Sequence, residues 1–197
     1  MTCGLWNPFV NLIELLLTVT DELESHGVVY ALTGSIASSL YGQPLPSLDA
    51  DLALRMTPAQ ARDVSRSLSS RFYVSEEALV DAAARGAMAN VIDGSSGFKI
   101  DLSVLPHTPF YDEVLRRRQR LALADQPAKA IWICSPEDVL LMKLVWRRDT
   151  QSEKQLRDAR NIAAGQGPRL DWRYITRWAT ELGVAAELPA LRRDTGG

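Results

Sequence analysis

Three acids in this chain have the types and spacing for metal chemistry. Asp49 and Asp51 stand two apart in Asp49-Ala50-Asp51-Leu52-Ala53-Leu54-Arg55, where polar and apolar residues alternate with the period of a strand. Residues i and i+2 of a strand share a face, so both carboxylates project the same way. Two carboxylates that close raise each other's pKa unless a cation lies between them. Asp101 lies in Phe98-Lys99-Ile100-Asp101-Leu102-Ser103-Val104-Leu105, where an acid is expensive without a partner. If the two strands are neighbours, three carboxylates converge. Oxygen-only ligands suit Mg2+, which uses one or two carboxylates plus substrate phosphates. The plain alternative is a solvated strand face, because Asp-x-Asp arises often by chance.

Upstream, Val28-Val29-Tyr30-Ala31-Leu32 reads as a buried strand that runs through Thr33-Gly34-Ser35 into a short helix ending near Tyr41. Free N–H groups and the helix dipole at such a terminus favour phosphate oxygens. Gly34 allows close backbone approach and Ser35 adds a hydroxyl; the alternative is that Ser35 is an ordinary N-cap.

Other chemistries are closed by count. The chain has 2 His (His26, His107) and 2 Cys (Cys3, Cys134), too few for a disulfide scaffold, a multi-histidine metal site or a nucleophilic triad. Its 197 residues, 46% hydrophobic and 23% charged with 12 Gly and 10 Pro, exclude collagen-like and disordered classes. The apolar run Leu12–Val19 is interrupted by Glu14 and is too short to span a bilayer, so no membrane association and a cytoplasmic location are expected.

The elements that must position the acids follow from periodicity. Residues 8–26 show helical spacing and stop at Gly27, and Thr57-Pro58 opens a helix to about Ser70. Phe72-Tyr73-Val74 is a short strand and Glu76–Arg85 a helix. Ala89–Ile92 and Phe98–Leu105 flank Asp93-Gly94-Ser95-Ser96-Gly97, a hairpin signal. Residues 110–120 read as a helix and Ile131–Ile133 as a strand; beyond Ser135, helices are expected at about 136–148, 152–165, 171–182 and 185–193. The expected fold is α/β (α+β): a mixed sheet flanked by helices over residues 1–134, with the first helix packed on it, and a helical subdomain over 135–197.

The net charge of -2 hides an asymmetry: the first 54 residues carry six acids and no Lys or Arg, so all 22 bases fall in the remainder. Such a split suits a polyanionic partner for the second half, although solvated helix faces produce the same clusters.

Gly34-Ser35, thirteen residues, Asp49-Ala50-Asp51 and the later strand acid Asp101 together resemble the DNA-polymerase-β-like nucleotidyltransferase superfamily. Ser135-Pro136-Glu137-Asp138-Val139-Leu140-Leu141-Met142-Lys143-Leu144 and Ser152–Asp158 are similar to elements of bacterial nucleotidyltransferase-like proteins near the AbiEii/AbiGii-type toxins. The resemblance implies a nucleoside triphosphate substrate and two Mg2+ ions held by Asp49 and Asp51, with Asp101 completing the set and helping to deprotonate an acceptor hydroxyl. Gly34 and Ser35 would contact the triphosphate. Relatives often carry an Arg four residues before the first Asp and a hydroxyl two before; here these are Leu45 and Ser47, so Ser47 joins the nucleotide-binding set and the cation is missing. Implied acceptors are RNA (tRNA ends included), protein, or an aminoglycoside-type small molecule, and a cognate antitoxin is an implied partner. The other class of reading is a non-catalytic, antitoxin-like or regulatory module on the same fold.

Ser135-Pro136-Glu137-Asp138 starts a helix that is apolar nearly all round apart from Lys143 and Arg147. A buried cation needs an anion. Lys143 either faces the triphosphate and acids or pairs with an acid such as Asp158. Arg147, on the same stripe, and Arg157 and Asp158, which the resemblance marks, are further site residues.

Overall fold

The computed structural model describes residues 8–44, 46–123 and 126–193. Cys3 and Leu45, and with Leu45 the position where relatives carry an arginine, lie outside them. The chain is α+β, with a mixed seven-stranded sheet flanked by helices, as expected. It divides into two compact units: Met1–Ala31 with Leu48–His107, and Leu32–Ser47 with Thr108–Gly197.

In the first unit, α1 (Pro8–Ser25) buries Leu12, Leu15, Leu16, Val19 and Leu23, and ends at Gly27, whose φ of 66° suits glycine. The chain then enters β1 (Val29–Thr33), whose last two residues belong to the second unit. Four strands lie side by side in the order β3 (Tyr73–Val74), β4 (Met88–Ile92), β5 (Lys99–Val104) and β2 (Asp49–Arg55). β4 and β5 form the expected antiparallel hairpin across Asp93–Gly97, and β5 runs parallel to β2. The pair Leu52↔Leu102 is wholly buried, and Leu54↔Val104 nearly so. α3 (Pro58–Leu68) starts with a capping box between Thr57 and Gln60, and α4 (Glu76–Arg85) is capped by Ser75.

In the second unit, the end of β1 pairs in parallel with β7 (Gln126–Ile133) at Leu32↔Ile133, and β7 pairs antiparallel with β6 (Gln119–Leu123). Here the reading of 110–120 as one helix is corrected. The helix α5 (Pro109–Arg116) ends early, and Gln119 onward takes its backbone hydrogen bonds from β7. Arg118 and Arg120 look like helix residues by propensity, yet their guanidinium groups stack over Trp132 at 4.4 and 4.9 Å from the ring centre.

α2 (Gly34–Tyr41), α6 (Pro136–Thr150), α7 (Glu153–Gln166), α8 (Trp172–Glu181) and α9 (Leu188–Arg193) complete this unit. From Glu137 to Val145 every residue of α6 is buried, as its apolar circumference requires. Its start is held by a polar network. The Ser135 hydroxyl accepts from Asp138 N, Tyr174 Oη donates to Asp138 at 2.6 Å, and Arg117 reaches Glu137 at 2.9 Å. Burial pushes the Asp138 carboxyl above the usual carboxylate range, against the hydrogen bonds from Tyr174 and Ser135 and the charge of Arg117. Among the described residues no helix is long and apolar enough to cross a membrane.

Between α6 and α7, Lys143 Nζ donates to Asp158 Oδ2 at 2.9 Å, with the two side chains 1% and 2% exposed. Removing one partner of so dry a pair strands the other. Lys143→Met should cost about 3–5 kcal/mol in urea unfolding, and Lys143→Met with Asp158→Leu should recover most of it. A single variant as stable as the parent would show that water reaches the pair.

Candidate functional site

The acid group is a product of strand register. In the β2–β5 ladder Asp51 faces Asp101 and Asp49 faces Lys99, so alternation brings all four side chains to one face. Their environments differ. The Asp49 side chain is half exposed, Asp51 is partly buried, and Asp101 is 7% exposed. Asp101 Oδ1 is buried with no hydrogen-bond partner. Its other oxygen, Oδ2, accepts from Lys99 Nζ at 2.9 Å, and the same ammonium is 3.9 Å from Asp49 Oδ2. The hydrogen bond to Asp101 is the main reason that the Lys99 ammonium is held above its ordinary pKa. Burial opposes it, and the charges of Asp101, Asp49 and Asp51 add to it.

Sequence reasoning passed over Lys99. The signal was present: in a strand, a lysine two residues before a buried acid lies on the same face. Among the described residues no three His, Cys, Asp or Glu side chains are gathered as a ready-made metal cage; one corner of the acid group is taken by this lysine. The group nevertheless suits a divalent ion. Its donors are all carboxylate oxygens, one of them is buried and unpartnered, and it already attracts a cation.

In the second unit, Thr33 is the N-cap of α2 and makes no side-chain cap; its hydroxyl turns to Met142 Sδ at 3.8 Å. This corrects the alternative in which Ser35 caps the helix. Gly34 has φ 66°, a conformation that allows a strand to turn directly into a helix and that side chains resist. Ser35 lies one residue inside, where its Oγ accepts from Lys154 Nζ at 2.9 Å. Lys154 opens α7 and is exposed, and it too was missed, because a lysine in a charged first turn reads as surface.

The other expected residues divide by environment. Ser47 is half-buried in the loop before β2. Lys143 and Asp158 pair with each other, the partner that the sequence suggested as the alternative. Arg147 bridges to Glu153 at 2.8 Å, and Arg157 is exposed on α7. Burial pushes the Cys134 thiol far up, so it is no nucleophile.

What holds Ser35 near Lys154 is the close approach of α2 and α7. A Cβ on Gly165 would stand 2.5 Å from the Tyr41 carbonyl oxygen, and one on Gly42 would stand 2.8 Å from the Asn161 carbonyl. Gln166 Nε2 donates to the same Tyr41 oxygen at 2.7 Å, and Tyr41 Oη donates to the Cys134 carbonyl at 2.7 Å. Backbone therefore meets backbone, with nothing flexible to yield.

Neither protein-family models nor curated proteins give a match to this chain. Solved structures do. An antigenic nucleotidyltransferase-like protein from Paracoccidioides brasiliensis superposes with a TM-score of 0.55 at 19% identity, covering 93% of this chain and 92% of its own. The antibiotic-resistance factor ANT(2'')-Ia, solved in solution, gives 0.53 at 11% identity over 93% and 90%. Likeness at such identities shows the fold: this chain has the architecture of nucleotidyltransferase-like proteins.

Because backbone atoms make the α2–α7 contact, Gly165→Ala should push the helices apart. We expect a loss of roughly 1–3 kcal/mol in chemical denaturation. Alanine at exposed Gln151, by contrast, should cost well under that. Equal stability of Gly165→Ala and the parent would mean that the contact is loose.

Proposed function

We propose that this protein is a Mg2+-dependent nucleotidyltransferase that moves a nucleoside monophosphate from a nucleoside triphosphate to an acceptor hydroxyl. The observation that carries the reading is the β2–β5 register, which sets Asp49, Asp51 and Asp101 on one face with a buried, unpartnered oxygen on Asp101. The fold, common to nucleotidyltransferase-like proteins, supports it.

In this reading Asp49 and Asp51 hold two Mg2+ ions and Asp101 completes their ligand set. Mg2+ held by these carboxylates would supply positive charge that stabilises the transfer of the nucleotidyl group. Asp101, whose Oδ1 has no other hydrogen bond, takes up the proton of the acceptor hydroxyl. Gly34 lets backbone N–H groups approach phosphate oxygens, and Ser35 with Lys154 adds a hydroxyl and an ammonium. The Lys143–Asp158 pair fastens α7, and so keeps Lys154 in place.

The acceptor we favour is RNA, tRNA included, or a protein. Sixteen Lys and Arg against twelve Asp and Glu in the second unit suit a polyanion, whereas six against twelve in the first suit a cationic small molecule less specifically. A toxin-type role restrained by a cognate partner belongs to the same proposal. The contrasting reading, a non-catalytic binding module, draws on Lys99, which pairs with Asp101 and offsets part of the acids' charge without a metal.

Incubation with each α-labelled nucleoside triphosphate and Mg2+, in the presence of total tRNA, cell extract or the protein alone, should label one acceptor class. Asp49→Asn/Asp51→Asn should abolish the transfer. Lys154→Ala should lower it by about tenfold, the loss of one charge-assisted hydrogen bond of ~1.5 kcal/mol. No label in any acceptor, together with wild type and the double variant equally indifferent to Mg2+ plus nucleotide in thermal melts, would sink the enzyme reading and leave the binding module.

A further inference from the structure

The acid group has four corners, not three, and the fourth is a cation. We infer that Lys99 is a tethered counter-ion which a divalent metal must displace, so that metal loading at Asp49, Asp51 and Asp101 is an exchange of one cation for another. The inference rests on the metal-binding reading proposed above and adds to it a device that sets when the site fills.

Geometry carries the argument. Lys99 and Asp101 are two residues apart on β5, while Asp49 stands opposite Lys99 and Asp51 opposite Asp101 on β2. The four side chains therefore form a square on one sheet face, and the ammonium bridges two of its corners, at 2.9 Å from Asp101 and 3.9 Å from Asp49. Three carboxylates held this close would repel in the empty protein, and Lys99 relieves that repulsion. A divalent ion seeks oxygens of the same carboxylates at about 2.1 Å. An ammonium bonded to Asp101 Oδ2 and 3.9 Å from Asp49 Oδ2 repels a second cation at such separations and opposes its entry. Lys99 is free to leave. Its side chain is 34% exposed on a flexible four-carbon stem, whereas the Asp101 side chain is nearly buried. The carboxylate thus stays while the cation changes.

Exchange has a quantitative consequence. A site occupied by its own lysine most of the time shows an apparent affinity lowered by the fraction of molecules in which the lysine has left. Metal alone should bind weakly. A triphosphate that offers the displaced ammonium a new anionic partner should make loading easier, so metal and nucleotide would enter together.

The test uses Mn2+ alone, followed by electron paramagnetic resonance, on the full chain and on Lys99→Met and Lys99→Arg. Asp49→Asn/Asp51→Asn marks binding elsewhere. Lys99→Met, nearly the same shape without charge, should bind Mn2+ about tenfold more tightly than wild type, and Lys99→Arg should not. Without metal, Lys99→Met should melt at a lower temperature than wild type, and Mg2+ should raise its melting point by more. In wild type carrying labelled lysine side chains, the Lys99 resonance should move as Mg2+ is added, in step with binding. Equal Mn2+ affinities for wild type and Lys99→Met, or a Lys99 resonance that stays still while Mg2+ binds, would overturn the exchange and leave the proposed enzyme standing. No Mn2+ binding by wild type or Lys99→Met would overturn both.

Discussion

A parallel pairing of two strands, in register at Asp51 and Asp101, decides where negative charge gathers in this protein. Register in a half-buried sheet is not free to drift, because a slip of one residue turns every side chain to the opposite face. Leu52 against Leu102 and Leu54 against Val104 are the pairs that hold it, all with little or no exposure. The apolar residues of β2 and β5 thus set the acid group without touching it: by burying themselves they force the alternating acids onto the other face. Clustering like charges there opposes folding, and the placement of Lys99 within the same ladder offsets it. Core and candidate site are two faces of one pairing.

The second unit meets a different demand, the positioning of a turn and a lysine that are far apart in sequence. Ser35 and Lys154 meet because α2 and α7 approach to backbone contact at Gly42 and Gly165, where any side chain would collide. The buried Lys143–Asp158 pair contributes direction more than net stability. An ion pair that dry gains little over apolar packing of the same volume, yet it penalises any arrangement of α6 and α7 that separates its members.

Much of this was legible in the sequence, where a single physical signal dominated. Alternation located β2, the Asp93–Gly97 turn located β4 and β5 as a hairpin, and cap residues located α3 and α6. Side-chain pattern also named Asp158 as a partner for Lys143, since a lysine within an apolar circumference must find an acid. What escaped was decided by partners distant in the chain. The first two residues of β6 were read as the end of a helix because Arg116–Arg120 favours helix locally, and only β7 supplies the hydrogen bonds and the Trp132 ring that make them strand. Lys154 and Lys99 escaped for a related reason. Each is an ordinary solvated lysine until tertiary structure sets a hydroxyl or a carboxylate beside it.

The element Ser135-Pro136-Glu137-Asp138 shows how a motif can mark architecture and not chemistry. Every polar atom in it has a structural occupation. The Ser135 hydroxyl caps α6 and donates to Asp138 Oδ2 at 2.7 Å. Glu137 accepts from the backbone of Asp171, the residue that in turn caps α8. Asp138 accepts from Tyr174 of α8, and Arg117, stacked 3.9 Å over the Tyr174 ring, pairs with both acids. Such a network fastens the start of α6 to α8 and to the end of α5. Within it a change from acid to amide would cost more than at the surface, because both acids are buried and each of their oxygens accepts at least one hydrogen bond. The Ser-Pro-Glu-Asp element is therefore a joint of the fold, distinct from the acid group of Asp49, Asp51 and Asp101 and the lysine among them.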